Sequence, residues 1–160
     1  GQLSYSQKMT PGVSHIHASA TDLPFASESI STVLLIETIE HLNAAQISKV
    51  LSEILRVLKK KGRAIISTPN YKSIWPFLEI LVSAIGPVNY TKEHITHFDI
   101  KSLNKIVREN GLTLIDIKSI FIISPFFALI SDKLAAFIFR IEQKFFSKWC
   151  ADIIIEVVKE

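Results

Sequence analysis

Continuous apolar runs and amphipathic stripes alternate along this chain. Thr32–Glu37 is a continuous apolar run, which is typical of a strand buried on both faces. In Ala44–Lys60, apolar residues recur at spacings of three and four, which predicts an amphipathic helix capped by Asn43 and stopped by Gly62. Arg63–Thr68 then predicts a second buried strand. Strands that alternate with helices in this way indicate an α/β fold with a parallel sheet.

The pattern is less regular towards both ends of the chain. Val13–Ser19 alternates weakly and is predicted to be a short strand, whereas Tyr71–Tyr90 is apolar but fits neither a clean helix nor a clean strand. The last third predicts a helix, a strand, a very apolar helical segment and a final strand, over Ile100–Asn110, Leu112–Ile120, Ser124–Ser147 and Ala151–Lys159. Without an internal repeat or a linker, residues 1–160 are predicted to form a single domain.

Composition narrows the class of protein. A hydrophobic fraction of 48% is sufficient for a packed core, and the net charge of +3 is spread thinly, which argues against a nucleic-acid partner. The dense run Lys59–Lys61 is interpreted as the end of a helix. The single cysteine, Cys150, excludes an internal disulfide and favours a reducing, cytoplasmic location.

One stretch, Ile120–Phe139, has about the length of a membrane span. Pro125 breaks it early, and Asp132 and Lys133 place two charges inside it. Each central charge costs about 2.5–3.5 kcal/mol on insertion scales. The stretch is therefore interpreted as a buried or interfacial helical segment.

Three groups of residues, in order, resemble one family. They are Ala20–Phe25 with Val33–Ile36 and Glu40–Leu42, then Glu53–Gly62 running into Ala64–Asn70, and finally Glu93–Phe98 followed by Asn110–Leu112. Together they resemble the small-molecule class I S-adenosylmethionine-dependent methyltransferases, the group that contains the quinone-biosynthesis methyltransferases. The resemblance implies a Rossmann-like sheet with a final antiparallel strand, here incomplete at the N-terminus and with extra apolar C-terminal helices. It also implies S-adenosylmethionine as the cofactor.

The resemblance implies a site at the carboxyl ends of the strands, where ligands of such sheets bind. The cofactor-binding residues that it implies are Ser19, Ala20, Thr21, Ile36, Glu37 and His41. Of these, Ser19 and Ala20 would lie against the adenine, and Ile36 and Glu37 would face the methionine part of the cofactor. Residues expected near the substrate are Glu40, Tyr90, His94 and His97. No catalytic residue is assigned, and no metal site is predicted. Methyl transfer from a sulfonium depends mainly on in-line positioning.

The sequence departs from the family in four places, one of which is Ile30-Ser31, where the family commonly has Phe-Asp. Ser19 stands where an acidic residue usually accepts from the adenine amine, and the glycine-rich turn of the first strand is expected upstream of residue 1. Gly1–Ser4 resembles the end of the family's second strand, with Gln2 as a neutral partner for the ribose. Without the first two strands, a gap of roughly 14 Å is expected between the strands at Val13–Ser19 and Thr32–Glu37. This chain alone is therefore expected to bind S-adenosylmethionine weakly.

The polar candidates have ordinary alternatives. Glu40 and His41 position the substrate, act as a base, or simply satisfy backbone donors at the start of a helix. His94 and His97 either belong to a lid over the substrate or serve as capping and surface groups. A metal at His94, His97 and Asp99 is not predicted, because a fourth strong ligand is missing nearby.

Two apolar clusters leave the function open. They are Trp75, Phe77, Leu78, Ile80, Leu81 and Val82, and the phenylalanines 126, 127, 137, 139, 145 and 146. These residues either belong to the core or form a surface that contacts a lipophilic substrate or a membrane. In the membrane case, the cations near the lipid headgroups would be Lys133, Arg140, Lys144 and Lys148. The function predicted first is methyl transfer to a small, apolar acceptor. The alternative is a cofactor-free module that binds a partner chain at the open sheet edge, or a membrane surface.

Overall fold

The computed structural model of the chain describes residues 2–85, 89–146 and 149–160. Its helices are α1 (Gln2–Met9), α2 (Ala44–Val57), α3 (Trp75–Ile85), α4 (Tyr90–Glu93), α5 (Ile100–Glu109), α6 (Ser124–Phe127) and α7 (Asp132–Phe145). Its strands are β1 (Ile30–Leu35), β2 (Leu58–Pro69), β3 (Thr113–Ile120) and β4 (Asp152–Val158). A short 3₁₀ turn, Ile39–His41, precedes α2. None of the described helices is long and apolar enough to span a bilayer.

The strands form one four-stranded sheet in the order β1-β2-β4-β3. Strand β1 runs parallel to β2, and β4 is antiparallel to both β2 and β3. The arrangement confirms the predicted α/β class, the final antiparallel strand and the additional C-terminal helices α6 and α7. Because β1 and β2 are parallel, their carboxyl ends meet at one edge of the sheet, and this edge positions the candidate site.

The amphipathic helix α2 forms the centre of the core, as its periodicity predicts. Its buried residues are Ile47, Val50, Leu51, Ile54 and Val57. The first four of them belong to one cluster with Ile66, Ile153 and Ile155 of the sheet. Each fully buried aliphatic side chain stabilises the fold by about 1.5–3 kcal/mol. The predicted cap is confirmed, because the Asn43 side chain accepts a hydrogen bond from the Gln46 amide while the Gln46 side chain accepts one from the Asn43 amide.

The predicted end of α2 is wrong, because the helix ends at Val57 and Lys59–Lys61 lie within β2. The backbone here pairs with the end of the chain: the Lys61 amide donates to the Lys159 carbonyl at 2.9 Å, and the Lys159 amide donates to the Gly62 carbonyl at 3.0 Å. A Cβ on Gly62 would lie 2.8 Å from the Lys59 carbonyl oxygen. Gly62 therefore permits a close backbone approach rather than stopping a helix.

Two strand predictions near the N-terminus are also wrong. Val13–Ser19 is not a strand; only Ser19 forms an isolated bridge, to Asp22. The described sheet therefore ends at β1, and the expected gap between two strands does not arise. Leu3 and Ser4 lie in α1 rather than at the end of a strand, and Gly1 lies outside the described residues.

The two ambiguous apolar regions are helical. Much of Tyr71–Tyr90 forms α3, and residues 86–88 lie outside the described part. The predicted helical segment Ser124–Ser147 consists of two helices, since α6 begins with Pro125 in its first turn and α7 begins again after Ser131. Ser147 and Lys148 lie outside the described residues.

Candidate functional site

Glu37 and Glu40 follow strand β1 and face the end of β2. The Ser67 hydroxyl donates to Oε1 of Glu37 at 2.5 Å and accepts a hydrogen bond from the Glu37 amide at 3.1 Å. Glu37 has a φ of 44°, a left-handed conformation that costs energy for a residue with a side chain. The Thr68 hydroxyl donates to Oε2 of Glu40 at 3.2 Å. Two adjacent side chains of β2 therefore fix two carboxylates at this edge of the sheet.

A third carboxylate belongs to the same group. Asp152 begins β4 opposite Pro69, and desolvation, together with the charges of Glu37 and Glu40, raises its pKa to about 7. Desolvation also raises the pKa of Glu40 to about 7, with a further contribution from Glu37, and it raises the pKa of Glu37. Glu40 is 1% exposed, whereas Glu37 reaches solvent. The end of the sheet is thus an acidic cluster in which one carboxylate is open to a ligand.

The segment after α4 is hydrogen-bonded to the 3₁₀ turn. The backbone amides of Ile95 and Thr96 both donate to the Glu40 carbonyl at 2.9 Å, and the Thr96 hydroxyl donates to the Leu42 carbonyl at 2.6 Å. Nδ1 of His41 lies 2.9 Å from the Glu93 carbonyl oxygen. These bonds bring His94 next to His41, with ring centroids 5.0 Å apart.

His94 is held from the other side by a buried carboxylate that the sequence analysis missed. Oε1 of Glu79, in α3, lies 2.7 Å from Nδ1 of His94 and accepts the Tyr71 hydroxyl at 2.7 Å. Glu79 is 4% exposed and His94 is 7% exposed. A signal was available, because a glutamate inside an otherwise apolar helix requires a partner. The identity of that partner, fifteen positions away, depends on the tertiary fold.

Aromatic rings surround this pair. Tyr90 lies 5.8 Å from His94 and 6.5 Å from Trp75 by ring centroids, and His97 stacks on Tyr71 at 3.9 Å. All four residues predicted to lie near the substrate, namely Glu40, Tyr90, His94 and His97, are therefore joined in one connected group. Nε1 of Trp75 is buried without a hydrogen-bond partner among the described residues. The group therefore forms an aromatic surface that includes one hydrogen-bond donor without a partner within the described ranges, Nε1 of Trp75.

Ser19 and Ala20 are predicted to contact the adenine, and Thr21 next to them is predicted to bind the cofactor. Their side chains share no hydrogen bond with the acidic cluster in the described part of the chain. The Ser19 and Thr21 hydroxyls bond to each other at 2.8 Å, and Ala20 packs against the core. Ala20 also lines a cleft of about 400 Å³, together with Ile16, Phe25, Val33 and Leu34. This cleft lies along the outer edge of β1. Ile36 is 50% exposed beyond the end of that strand.

Part of this site fits the implied cofactor. A cationic ligand group would lower the free energy of Glu37, Glu40 and Asp152 in their ionised forms, and the sulfonium and ammonium of S-adenosylmethionine are such groups. The adenosine half has less to contact, since the five glycines are widely separated and form no glycine-rich turn. The residues present therefore fit the cationic half of the cofactor.

The same residues also have a spacing that could hold a metal ion. Ligand atoms of Glu40, His41 and His94 all lie within 4.8 Å of one another. His94 uses Nδ1 for Glu79, so only Nε2 would be free for a metal. The absence of a metal remains a prediction from the sequence.

Comparisons with known proteins find similarity to methyltransferases. A family model described as a methyltransferase domain matches residues 2–66. A demethylmenaquinone methyltransferase of Clavibacter sepedonicus is 33% identical over 93 residues, which cover 54% of this chain and 37% of that protein. An S-adenosylmethionine-dependent methyltransferase of Thermotoga maritima superposes with a TM-score of 0.63 at 19% identity, over 93% of this chain and 65% of that one. One from Mesorhizobium loti gives 0.62 at 11% identity, over 98% and 75%.

The structural matches establish the Rossmann-like fold of the class I methyltransferases. Residues 2–66 match the methyltransferase-domain family model, and 93 residues of the chain are similar to the demethylmenaquinone methyltransferase of Clavibacter sepedonicus. The chain is thus similar in sequence, over part of its length, to methyltransferases. The chain spans about a third of the length of the curated relative and about two thirds of the Thermotoga structure.

Proposed function

We propose that this chain serves methyl transfer from S-adenosylmethionine to a small, apolar acceptor. The observation that carries the proposal is the cluster of Glu37, Glu40 and Asp152 at the carboxyl ends of the strands, where a cationic ligand lowers the electrostatic free energy. When bound, the cofactor supplies an activated methyl group on sulfur. The protein's part is to bind, orient and exclude water.

The proposed roles follow the geometry of the chain. Glu37, which reaches solvent, and Ile36 lie against the methionine part of the cofactor, while Ser19, Ala20 and Thr21 contact the adenine. His41 stands between the cofactor and the substrate group, since it lies beside both Glu40 and His94. Glu40, Tyr90, His94 and His97 bound the acceptor, and Nε2 of His94 can accept a proton from an acceptor hydroxyl.

Two observations support an apolar acceptor with a polar end. Trp75 and Tyr90 provide aromatic surface beside His94. The relative from Clavibacter sepedonicus is named as a demethylmenaquinone methyltransferase. An aromatic acceptor that carries a hydroxyl would use both the rings and the histidine.

The experiment that tests the proposal is NMR titration of the labelled chain with S-adenosylmethionine and, separately, with S-adenosylhomocysteine. Backbone amide shifts should change at Glu37, Glu40 and Thr68, and less with S-adenosylhomocysteine, which keeps the ammonium but lacks the sulfonium charge. Glu37→Gln should reduce the response, and Glu109→Gln, an exposed carboxylate elsewhere, serves as the control. No shift at the three amides would overturn the proposed site. In parallel calorimetry, weak binding is expected, and micromolar binding would contradict that expectation.

The second candidate is a cofactor-free module that binds a partner chain or a membrane surface. Leu34 is 62% exposed and lies on β1, whose outer edge has no strand neighbour among the described residues. Exposed apolar residues on α6 and α7 support peripheral membrane contact, and a cytoplasmic location with such contact suits either candidate. Vesicle or partner binding without any response to S-adenosylmethionine would favour this candidate.

A further inference from the structure

Helix α7 has an outer face with two distinct stripes. Ala135, Ile138, Phe139 and Glu142 face the protein as the less exposed side of the helix. On the outside, Lys133, Arg140 and Lys144 fall within about 40° of one another around the helix axis. The next about 80° of the circumference carries only apolar side chains, namely Leu134, Phe137, Ile141 and Phe145. Helix α7 therefore presents a cationic stripe directly beside an apolar stripe.

Both stripes are open to solvent. Phe137 is 60% exposed and Phe145 is 66% exposed. Within the described part of the chain, Lys133, Arg140 and Lys144 take part in no ion pair, and the Lys144 ammonium lies 5.2 Å from the Phe145 ring. Asp132 lies about 100° away from Lys133 around the axis and is thus outside the cationic stripe.

A buried carboxylate fixes this orientation. Oε1 of Glu142 accepts hydrogen bonds from the backbone amides of Ile123 and Ser124 at 2.7 and 2.9 Å, and Oε2 accepts the Ser124 hydroxyl at 2.5 Å. The inner side of α7 is thereby tied to the start of α6. The outer stripes consequently cannot rotate inward without breaking three hydrogen bonds.

The apolar surface continues from α7 into the connection that follows α6. Leu129 is 89% exposed and Ile130 is 75% exposed, and both precede α7 directly. Phe126, in α6, is also exposed. This extends the exposed apolar surface beyond one helix.

We propose that α7 binds the surface of an anionic lipid bilayer, with its apolar stripe among the acyl chains and its three cations at the headgroups. A helix with adjacent apolar and cationic stripes is the arrangement that lies in a membrane interface. Anionic lipid, rather than a second copy of this chain, is the occupant that the charge favours, since two copies would bring like-charged stripes together. The inference deepens the membrane contact suggested above and is independent of methyl transfer.

The test is co-sedimentation of the chain with vesicles of phosphatidylcholine alone and of phosphatidylcholine with an equal amount of phosphatidylglycerol. Binding is expected only to the anionic vesicles and should weaken as salt is added. Combined Lys133→Gln, Arg140→Gln and Lys144→Gln should weaken binding about a hundredfold, since each cation near such a surface contributes about fivefold. Combined Phe137→Ser and Ile141→Ser should weaken it by more than about tenfold.

Matched controls keep the result specific to α7. Lys49→Gln, Lys60→Gln and Lys105→Gln remove the same charge elsewhere, and Met9→Ser with Ile115→Ser removes exposed apolar surface elsewhere. Both control sets should bind as the wild-type chain does, and circular dichroism should show the same helix content in all variants. Equal losses in the controls, binding to uncharged vesicles, or no binding by the wild-type chain would each overturn the inference. The same variants should respond to S-adenosylmethionine as the wild-type chain does. A failure of the lipid-binding inference can therefore be distinguished from a failure of the proposed methyl transfer.

Discussion

Oε1 of Glu79 lies 2.7 Å from Nδ1 of His94, and this contact ties helix α3 to the segment that follows α4. The single proton of the Tyr71 hydroxyl is already donated to Glu79. Desolvation lowers the pKa of His94, so its imidazole is neutral at pH 7. Because the carboxylate can only accept, Nδ1 carries the ring proton and Nε2 is left as an acceptor. The pair therefore sets the tautomer that the proposed substrate site requires.

Glu79→Ala should destabilise the fold and change this tautomer. It leaves the Tyr71 hydroxyl and the His94 N–H without their acceptor, at about 1–3 kcal/mol each, so the free energy of unfolding should fall by about 2–4 kcal/mol in urea titrations. Long-range ¹H–¹⁵N NMR of His94 should show the proton on Nδ1 in the wild-type chain and a mixture of tautomers in the variant. Glu109→Ala, in which the lost carboxylate is exposed, should change neither. A His94 proton on Nε2 in the wild-type chain would contradict the assignment.

The raised pKa of Glu40 should make stability depend on pH. In the folded state the pKa is about 7, against 4.5 in the unfolded chain, so the folded state binds the proton more tightly. The stabilisation is fully present below pH 4.5 and is lost as the pH rises through about 7. Glu40→Gln, whose amide oxygen can still accept from Thr68, should flatten this profile and raise the free energy of unfolding near pH 8 by about 1–3 kcal/mol.

Chemical denaturation at a series of pH values measures this effect. Asp152, whose pKa is also raised to about 7, should contribute a slope of the same sign that persists in Glu40→Gln. Glu93→Gln, which neutralises a carboxylate in α4 outside the acidic cluster, is the matched control and should leave the profile unchanged. A Glu40→Gln profile identical to that of the wild-type chain would show that Glu40 is ionised at neutral pH in the folded state.

Local patterns predicted much of the fold. The three-and-four spacing of α2 depends only on which residues face the core, so its existence and its Asn43 cap were predictable. Its last turn was not, because Lys59–Lys61 are helix-compatible residues whose backbone is instead paired with Lys159 at the far end of the chain. Such pairing between distant segments overrides local propensity. Val13–Ser19 shows the converse, since a weak alternation forms no strand where no neighbouring strand pairs with it.

The site residues that lie directly after a strand could be predicted from the sequence. Those that reach the site through tertiary packing could not. Glu37 and Glu40 come directly after an apolar run, so their place at the carboxyl edge could be expected. Asp152 could not, since it reaches the cluster only through the antiparallel pairing of β4 with β2. The placement of His94 against Glu79 likewise requires α3, which the sequence pattern did not resolve.

The outer edge of β1 should promote self-association. Leu34 is 62% exposed on a strand whose outer edge is unpaired among the described residues, and such edges pair readily with other chains. Leu34→Lys should reduce concentration-dependent association in sedimentation velocity experiments while changing the free energy of unfolding by less than about 0.5 kcal/mol. Ser48→Lys, at an exposed position of α2, adds the same charge away from the edge and should not reduce association. An equal reduction in both variants would mean that net charge, rather than the edge, controls association.

Glu142 should control the local stability of the α6–α7 region. Its carboxylate is 3% exposed and is the acceptor for the amides of Ile123 and Ser124 and for the Ser124 hydroxyl. In Glu142→Ala these buried donors lose their acceptor, at about 1–3 kcal/mol for each unpaired group. The exposed apolar side chains of α7 contribute little to its docking, so the region should open locally before the sheet unfolds.

Native-state hydrogen exchange measures this opening directly. The Ser124 amide should exchange at least about thirtyfold faster in Glu142→Ala, which corresponds to about 2 kcal/mol. The amide of Ile155, in the centre of the sheet, should be affected much less, because it exchanges only on global unfolding. Glu142→Gln keeps one acceptor oxygen and should give an intermediate rate at Ser124. Equal acceleration at Ser124 and Ile155 would show that α6, α7 and the sheet unfold as a single cooperative unit, contrary to the local role assigned to Glu142.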